Sequence, residues 1–335
     1  MTKFFSMETK ICKIDDKSIE RAKQILFSSG VVAIPTETVY GLGAIGTDGD
    51  AVQKIFEIKG RPSDNPLIAH VHKDYDITKL VHIEQDYVYD LIKEYTPGPL
   101  TMVFNSKNVV CEQAVCGGKT LAIRIPSHQG CQELLKAVDK PIVAPSANLS
   151  KHTSPVTAEH VYNDLNGKIE LILDGGKCSG GIESTVLDCT EKVPRILRAG
   201  LITKEMIEKT CGSCEIAKHK ESDKVRSPGV KYKHYRPKCQ TALYECDQID
   251  EVINRYNQEE RLGNNPYIMC ADNFAERLVG KNLLLLGKTD REIASNLYDK
   301  LLEGEKKAGI IIAIAMPDEK GVNLGIMNRM KKSCG

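Results

Sequence analysis

Between Ala217 and Arg226 the chain reads AKHKESDKVR, a charged stretch with neither a twofold nor a 3.6-residue apolar period. A stretch of that kind buries nothing, so the chain on either side of it must close a core of its own. A strand–helix rhythm runs on both sides. At 335 residues the chain is also longer than one core normally serves. The expectation is an α/β protein with a first domain over residues 1–212, a linker over 213–240 and a small α/β domain over 241–335.

Bulk properties exclude several classes. The chain has 46 basic and 45 acidic residues, a net charge of +1, so it carries no global basic field of the kind a duplex-binding protein shows. It has no Trp and 5% aromatic residues, which leaves few stacking platforms for single strands. The longest apolar runs, Leu283–Leu286 and Ile310–Met316, fall far short of the roughly 20 residues that cross a bilayer. The N-terminal MTKFFSMETKIC lacks the apolar core of a signal peptide. Twelve scattered cysteines fit a reducing, cytoplasmic setting. The CxxC at Cys211 and Cys214 follows a helical pattern instead of opening one, and Cys239 and Cys246 are poorly spaced to complete a zinc site. No metal site is expected from these thiols.

In chain order, Ser18–Ser29 reads as an amphipathic helix closed by Gly30, and Val31–Pro35 as a strand. Asp50 is the expected N-cap of a helix reaching Lys59. Leu67–Val71, Leu100–Phe104, Thr120–Ile125, Pro141–Pro145, Lys168–Leu173 and Arg195–Arg198 read as strands, and Glu183–Val186 starts another. Helices fall at Tyr87–Tyr95, at Cys131–Val138, and at Ala158–Leu165 with Thr157 as cap. The alternation has no clean βαβ period, so a mixed sheet is expected. Beyond the linker, Thr289 and Glu292 form a capping box that opens a helix, and a closing helix covers Asn323–Lys332. No GxGxxG or GxxxxGK[ST] loop marks a nucleotide site in this second part.

Several stretches carry chemistry. KGRPSDNPLIAH (59–70) sets Lys59 and Arg61 on a proline-stiffened turn between a helix and a strand, suited to a polyanion such as a nucleoside triphosphate. Arg124 sits inside an otherwise apolar strand, where it must meet either a protein carboxylate or an anionic ligand. The strand at Pro141–Pro145 empties into Ser146, Ala147 and Asn148, a way to hold a phosphate or a base edge. Hydroxyls beside glycines in PTETVYGLG (35–43) can bind a small polar ligand. SPGVKYKHYRP (227–237) interleaves cations with tyrosines and can close over a nucleotide.

Taken together, PTETVYGLG, KGRPSDNPLIAH, PGPLT (97–101), TLAIRIP (120–126), APSANLS (144–150), ESTV (183–186), ILRAG (196–200), SPGVKYKHYRP and IMNRMKK (326–332) resemble the long, two-domain threonylcarbamoyl-AMP synthase family. The resemblance implies a YrdC-like open twisted mixed sheet followed by a smaller Rossmann-like α/β domain. It implies condensation of L-threonine, bicarbonate and ATP to threonylcarbamoyl-adenylate and pyrophosphate, with Mg²⁺ accompanying ATP. The product then passes to the tRNA threonylcarbamoyl-transfer machinery. Lys59, Arg61, Asn65, Thr120, Ser146, Asn148, Ser154 and Arg198 would hold the nucleotide, with Lys59 and Arg61 central to catalysis. Thr36, Thr38, His70, Arg124, Ala144 and Ser184 would hold threonine and the bicarbonate-derived carboxylate. Tyr232 and His234 would close over ATP as part of a lid. Two other readings remain: an RNA-binding module using the same positive cleft for a weak tRNA contact, and a carbamoyltransferase, because a YrdC-like module also occurs in the hydrogenase-maturation carbamoyltransferase.

Overall fold

The computed structural model describes residues 7–217 and 235–335. The first part is built on a 12-stranded mixed sheet. Its order runs Lys10–Lys13, Leu171–Asp174, Val32–Ile34, Gly41–Ile45, Ile142–Val143, Ile68–His70, Thr120–Arg124, Leu100–Ser106, Thr185–Asp188, Arg195–Arg198 and Glu215–Ile216, with Val81–His82 paired to the far end of Leu100–Ser106. The middle strands are apolar on both faces, as burial under two layers demands. On one face the helices Asp16–Phe27 and Gln129–Val138 pack Ala22, Leu26, Leu134 and Leu135 onto Val32, Ile34 and Ile142. On the other, Val52, Ile55 and Phe56 of Gly49–Lys59 join Leu91 of Tyr87–Tyr95 and Val161 of Ala158–Leu165 over Leu42, Leu121 and Ile123.

The second sheet has four parallel strands in the order Gln240–Tyr244, Ile310–Ile314, Pro266–Cys270 and Leu283–Leu285. Ile249–Arg261 covers one face through Val252 and Tyr256. Asp290–Lys307 and Val322–Cys334 cover the other, and their Leu297, Leu301, Ile326 and Met330 belong to the same apolar cluster as the first sheet's core. The two sheets therefore share one continuous core through these two helices.

Local chemistry sets the element ends, and it corrects two expectations. The cap of Gly49–Lys59 is Asp48, whose carboxylate accepts from the Ala51 amide at 3.0 Å, not Asp50, which lies inside the first turn. The helix Asp16–Phe27 ends at Ser28, and the left-handed residue is Ser29 (φ 56°), not Gly30. Gly30 is needed for a different reason: a Cβ there would come within 2.5 Å of the Ile25 side chain. Gly41–Ile45, which opens in the glycines of PTETVYGLG and is absent from the strands expected above, is a fully buried strand pairing antiparallel to Val32–Ile34. The capping box at Thr289 and Glu292 is present, and the helix it opens runs on to Lys307.

Candidate active site

Antiparallel and parallel pairings bring the strand ends that carry polar residues to one edge of the sheet. His70 pairs with Arg124, Arg124 with Thr101, and Val186 with Arg198, while Gly41 bridges to Ser146. The result is a cleft holding about 670 Å³ of empty space, its open mouth included. That is room for a nucleotide beside an amino acid. Thr36, Thr38, Arg61, His70, Arg124, Ala144, Ser146, Asn148, Ser154, Ser184 and Arg198 line it. The strand-end geometry thus gathers eleven of the residues singled out in the sequence.

Three others lie elsewhere. Lys59, the last residue of its helix, is buried beneath the wall and donates to the carbonyls of Ser146 and Asn148, both at 2.5 Å. Two of its three protons are so committed to the loop. Burial, reinforced by Arg61, holds its pKa well below the ordinary lysine value. Asn65 is buried, and its backbone carbonyl accepts from Arg61 Nη2 at 3.0 Å. Thr120 begins the strand that ends at Arg124, pairs with Asn105, and does not line the cleft. Four residues of strand separate it from Arg124, roughly 13 Å at the usual rise. Tyr232 and His234 lie outside the described residues.

Proton bookkeeping separates groups that face a ligand from groups that hold the wall. Thr36 Oγ1 donates to the Val39 carbonyl at 2.7 Å and accepts from the Thr38 and Val39 amides at 3.1 and 3.2 Å, which fills its hydroxyl capacity. The 2.9 Å contact with Thr36 therefore does not commit the Thr38 hydroxyl proton, and Thr38 keeps hydrogen-bonding capacity for a ligand. Ser146 Oγ donates to Asn148 Oδ1 at 2.5 Å, and the Asn148 amide donates to Leu149 and His152 carbonyls. Ser154 donates to Glu183 at 2.7 Å. Ser184 shares a hydroxyl contact with Thr101 at 2.8 Å and accepts from Arg198 Nη2 at 3.2 Å.

The cleft-lining donors without hydrogen-bond partners among the described residues are of a different kind, Arg61 Nε and Arg124 Nε and Nη2, all buried; the Asn65 amide, buried off the cleft, is unpartnered as well. Buried polar atoms of this sort carry a desolvation cost unless something meets them. Arg124 Nη2 lies 2.8 Å from Glu37 Oε1, an ion pair whose angle falls short of a hydrogen bond. The strand arginine therefore meets a protein carboxylate and still faces the cleft. Burial lowers Arg61 to about 10, which leaves it charged at neutral pH. His70 is pushed down to about 3 by burial and then by Arg124, and its Nδ1 donates to the Ile68 carbonyl at 3.0 Å, so it is a neutral wall residue. Glu183 is held at about 2; burial opposes this, and Arg329 and Arg198 outweigh it.

Glu37, His152, Glu183 and Tyr235 also line or brace the cleft and were not singled out from the sequence. Glu37 had one signal, the need of Arg124 for a carboxylate. Tyr235 lay inside the basic, aromatic linker stretch, one residue past His234. Glu183 was marked only as the first residue of the ESTV motif, with no role of its own, because Arg329 and Tyr298, which hold it, come from the second domain. Among the described residues no group of three His, Cys, Asp or Glu side chains could hold a metal, and no helix is long and apolar enough to cross a membrane.

Residues 24–200 match the family described as "Telomere recombination", and residues 202–335 match the family described as "Threonylcarbamoyl-AMP synthase, C-terminal domain". The chain is 38% identical to threonylcarbamoyl-AMP synthase of Pyrococcus abyssi over 96% of each chain. It is 40% identical to that of Bacillus subtilis over 96% of this chain and 94% of the relative. The crystal structure of P. abyssi Sua5 in complex with L-threonine superposes with a TM-score of 0.90 at 36% identity, covering 97% of both chains. On a shared two-sheet fold, a matching pair of family segments and relatives that align end to end, the chain belongs to the threonylcarbamoyl-AMP synthase family.

Proposed function

We infer that the chain is an L-threonylcarbamoyladenylate synthase, joining L-threonine, bicarbonate and ATP to give threonylcarbamoyl-AMP and pyrophosphate for tRNA modification. The observation that carries the reading is the pair of buried guanidinium donors without partners, Arg61 Nε and Arg124 Nε, at a cleft where the hydroxyls of Thr36, Ser146 and Ser154 are already committed. Such a cleft suits ligands that bring negative charge of their own.

The chemistry asks for that arrangement. Threonine's amine adds to carbon dioxide derived from bicarbonate, giving a carbamate. A carbamate oxygen then attacks the α-phosphorus of ATP, the bond to the bridging oxygen breaks, and pyrophosphate leaves with the electron pair. Such a displacement is helped by placement and charge neutralisation more than by a protein nucleophile. Arg61 is read as the phosphate donor, backed from behind the wall by Asn65 and Lys59. Arg124 is read as the group facing the carboxylates, and Thr38 as the acceptor for the threonine hydroxyl. Ser184 and Ala144 complete that end; Ser146, Asn148, Ser154 and Arg198 form the nucleotide wall. Thr36 and His70 shape the threonine end by packing and by orienting their neighbours. Glu37 and Glu183 are engaged by arginines, so Mg²⁺ is read as arriving with ATP on the phosphate oxygens and water. The stretch around Tyr232 and His234 is read as a lid that keeps water from the carbamate. A cytoplasmic setting fits the unpaired cysteines.

The test is pyrophosphate release with threonine and bicarbonate omitted in turn. Release that needs both is expected. Release that continues without threonine would overturn the reading. An RNA-binding role would instead show as RNA affinity falling steeply with salt.

A further inference from the structure

The cleft wall at Glu183 and Ser184 is held from behind by the second domain. Arg329, on the last helix, is completely buried. Its Nε donates to Glu183 Oε2 at 3.1 Å, and its Nη1 donates to the carbonyls of Ala199 and, at 3.2 Å, Gly325. Tyr298, on the helix Asp290–Lys307 and equally buried, donates to the same carboxylate at 2.9 Å. It stacks on Tyr235 with ring centroids 5.3 Å apart, and Tyr235 lines the cleft. From the cleft side Ser154 donates to Oε1. One buried carboxylate thus joins two helices of the second domain to the cleft wall.

Close backbone approach fixes the geometry. A Cβ on Gly181 would fall 2.3 Å from the Ala294 carbonyl oxygen, and one on Gly325 would fall 3.2 Å from the Gly200 Cα. Glycine is required at Gly181 for the helix Asp290–Lys307 to sit this near the Glu183 loop, and at Gly325 a side chain would crowd Gly200.

Arg198 has its Nε and Nη2 on the Ser184 carbonyl and hydroxyl, and Glu183 is the adjacent residue. Two arginines therefore act on one carboxylate, and Arg329 holds its Oε2 oxygen. Take Arg329 away and the buried carboxylate must find another cation. Arg198 is the one next to it, and its turning towards Glu183 would pull it from Ser184 and distort the wall. We propose that Arg329 and Tyr298 are positioning residues for the reaction: by holding Glu183 from the second domain, they keep Arg198 on Ser184 and the ligand-facing wall in register. The consequence is that the second domain is part of the site's architecture. The proposal rests on the functional reading above.

The experiment pairs kinetics with binding. Arg329→Met should lower kcat/KM for threonine-dependent pyrophosphate release by about tenfold or more, the scale of a lost charge-assisted hydrogen bond. Adding Glu183→Gln to Arg329→Met should recover activity to within about threefold of Glu183→Gln alone, because the stranded charge is gone. A purely structural role for Arg329 would give no such recovery. Tyr298→Phe removes one hydroxyl without a charge and is expected to fold; it should raise the KM for ATP by about threefold with kcat nearly unchanged. Affinity for a non-hydrolysable ATP analogue, read by calorimetry, should fall in Arg329→Met. Wild-type kinetics in a folded Arg329→Met, or in Tyr298→Phe if Arg329→Met does not fold, would overturn the proposal, as would a double variant no better than Arg329→Met. A wild-type protein that binds the analogue yet releases no pyrophosphate would sink the functional reading alone.

Discussion

Arg61 and Lys59 stand two residues apart in one motif, yet the fold gives them different work. Arg61 keeps an unpartnered Nε at the cleft, while Lys59 fastens the Ser146–Asn148 loop from below. Arg61→Ala should therefore act on the nucleotide: its ATP KM should rise and turnover fall, together about 10- to 100-fold in kcat/KM, with thermal stability nearly unchanged. Lys59→Ala should lower activity and stability together, since two buried carbonyls lose their donor; a stable but inactive Lys59→Ala would mean that its phosphate role dominates. Thr38, whose hydroxyl lines the cleft, makes a second prediction. Valine has no hydroxyl to offer it, so discrimination for threonine over valine should exceed the roughly 100-fold an apolar pocket achieves. Equal kcat/KM values for the two amino acids would refute that placement. The motifs that carry Lys59 and Arg61 were legible in the sequence; which of the two lines the cleft was not, because that depends on the 146–148 loop lying between Lys59 and the cleft.

Among elements, the strand that ends on His70 and Arg124's strand beside it bury a titratable ring at the heart of the sheet. His70 has its pKa lowered from 6.5 to about 3, burial being the main cause. The unfolded chain therefore binds a proton that the folded chain refuses between those values. The stabilisation is complete above the ordinary value of 6.5 and is lost as pH falls through the window towards about 3, by about 1.4 kcal/mol per pH unit. Unfolding by urea from pH 7 down to 4 should show this slope, and His70→Phe should flatten it. At the helix Asp290–Lys307, Gly181 (φ 70°) leaves no room for a Cβ beside Ala294. Gly181→Ala should destabilise by about 1–3 kcal/mol, through backbone strain and overpacking, measured as a shift in the urea midpoint. Element identity was readable wherever periodicity or a cap announced it, as at Thr157 and Thr289. Gly41–Ile45 escaped because its two glycines weaken any local strand signal, while burial on both faces by two helix layers makes it a strand.

On the scale of the whole molecule, two sheets share a core and one buried carboxylate. Glu183 is depressed from 4.5 to about 2. A depressed carboxylate stabilises above its unfolded value and loses that contribution as pH falls from 4.5 towards 2. The stability advantage of the wild type over Glu183→Gln should accordingly shrink across that window in thermal melts, and a constant difference would refute the coupling. A chain cut near Gly212 would uncover Ile182 and the face that Leu297 and Ile326 now bury. It should lose most pyrophosphate release and melt at a lower temperature than the full chain. ATP with threonine should also slow tryptic cleavage at Lys231 and Lys233 if the linker covers the bound ligand.

The sequence by itself determined the α/β class, the mixed sheet, the family and most of the cleft-lining side chains. Those rest on local properties: apolar period, caps, and polar motifs placed at strand ends. Tertiary structure alone decided which donors stay unpartnered, that Thr120 lies away from the cleft, and that Glu183 answers to Arg329 and Tyr298. The last depends on contacts between residues more than a hundred positions apart, and no local pattern encodes which distant side chain will neutralise a buried charge.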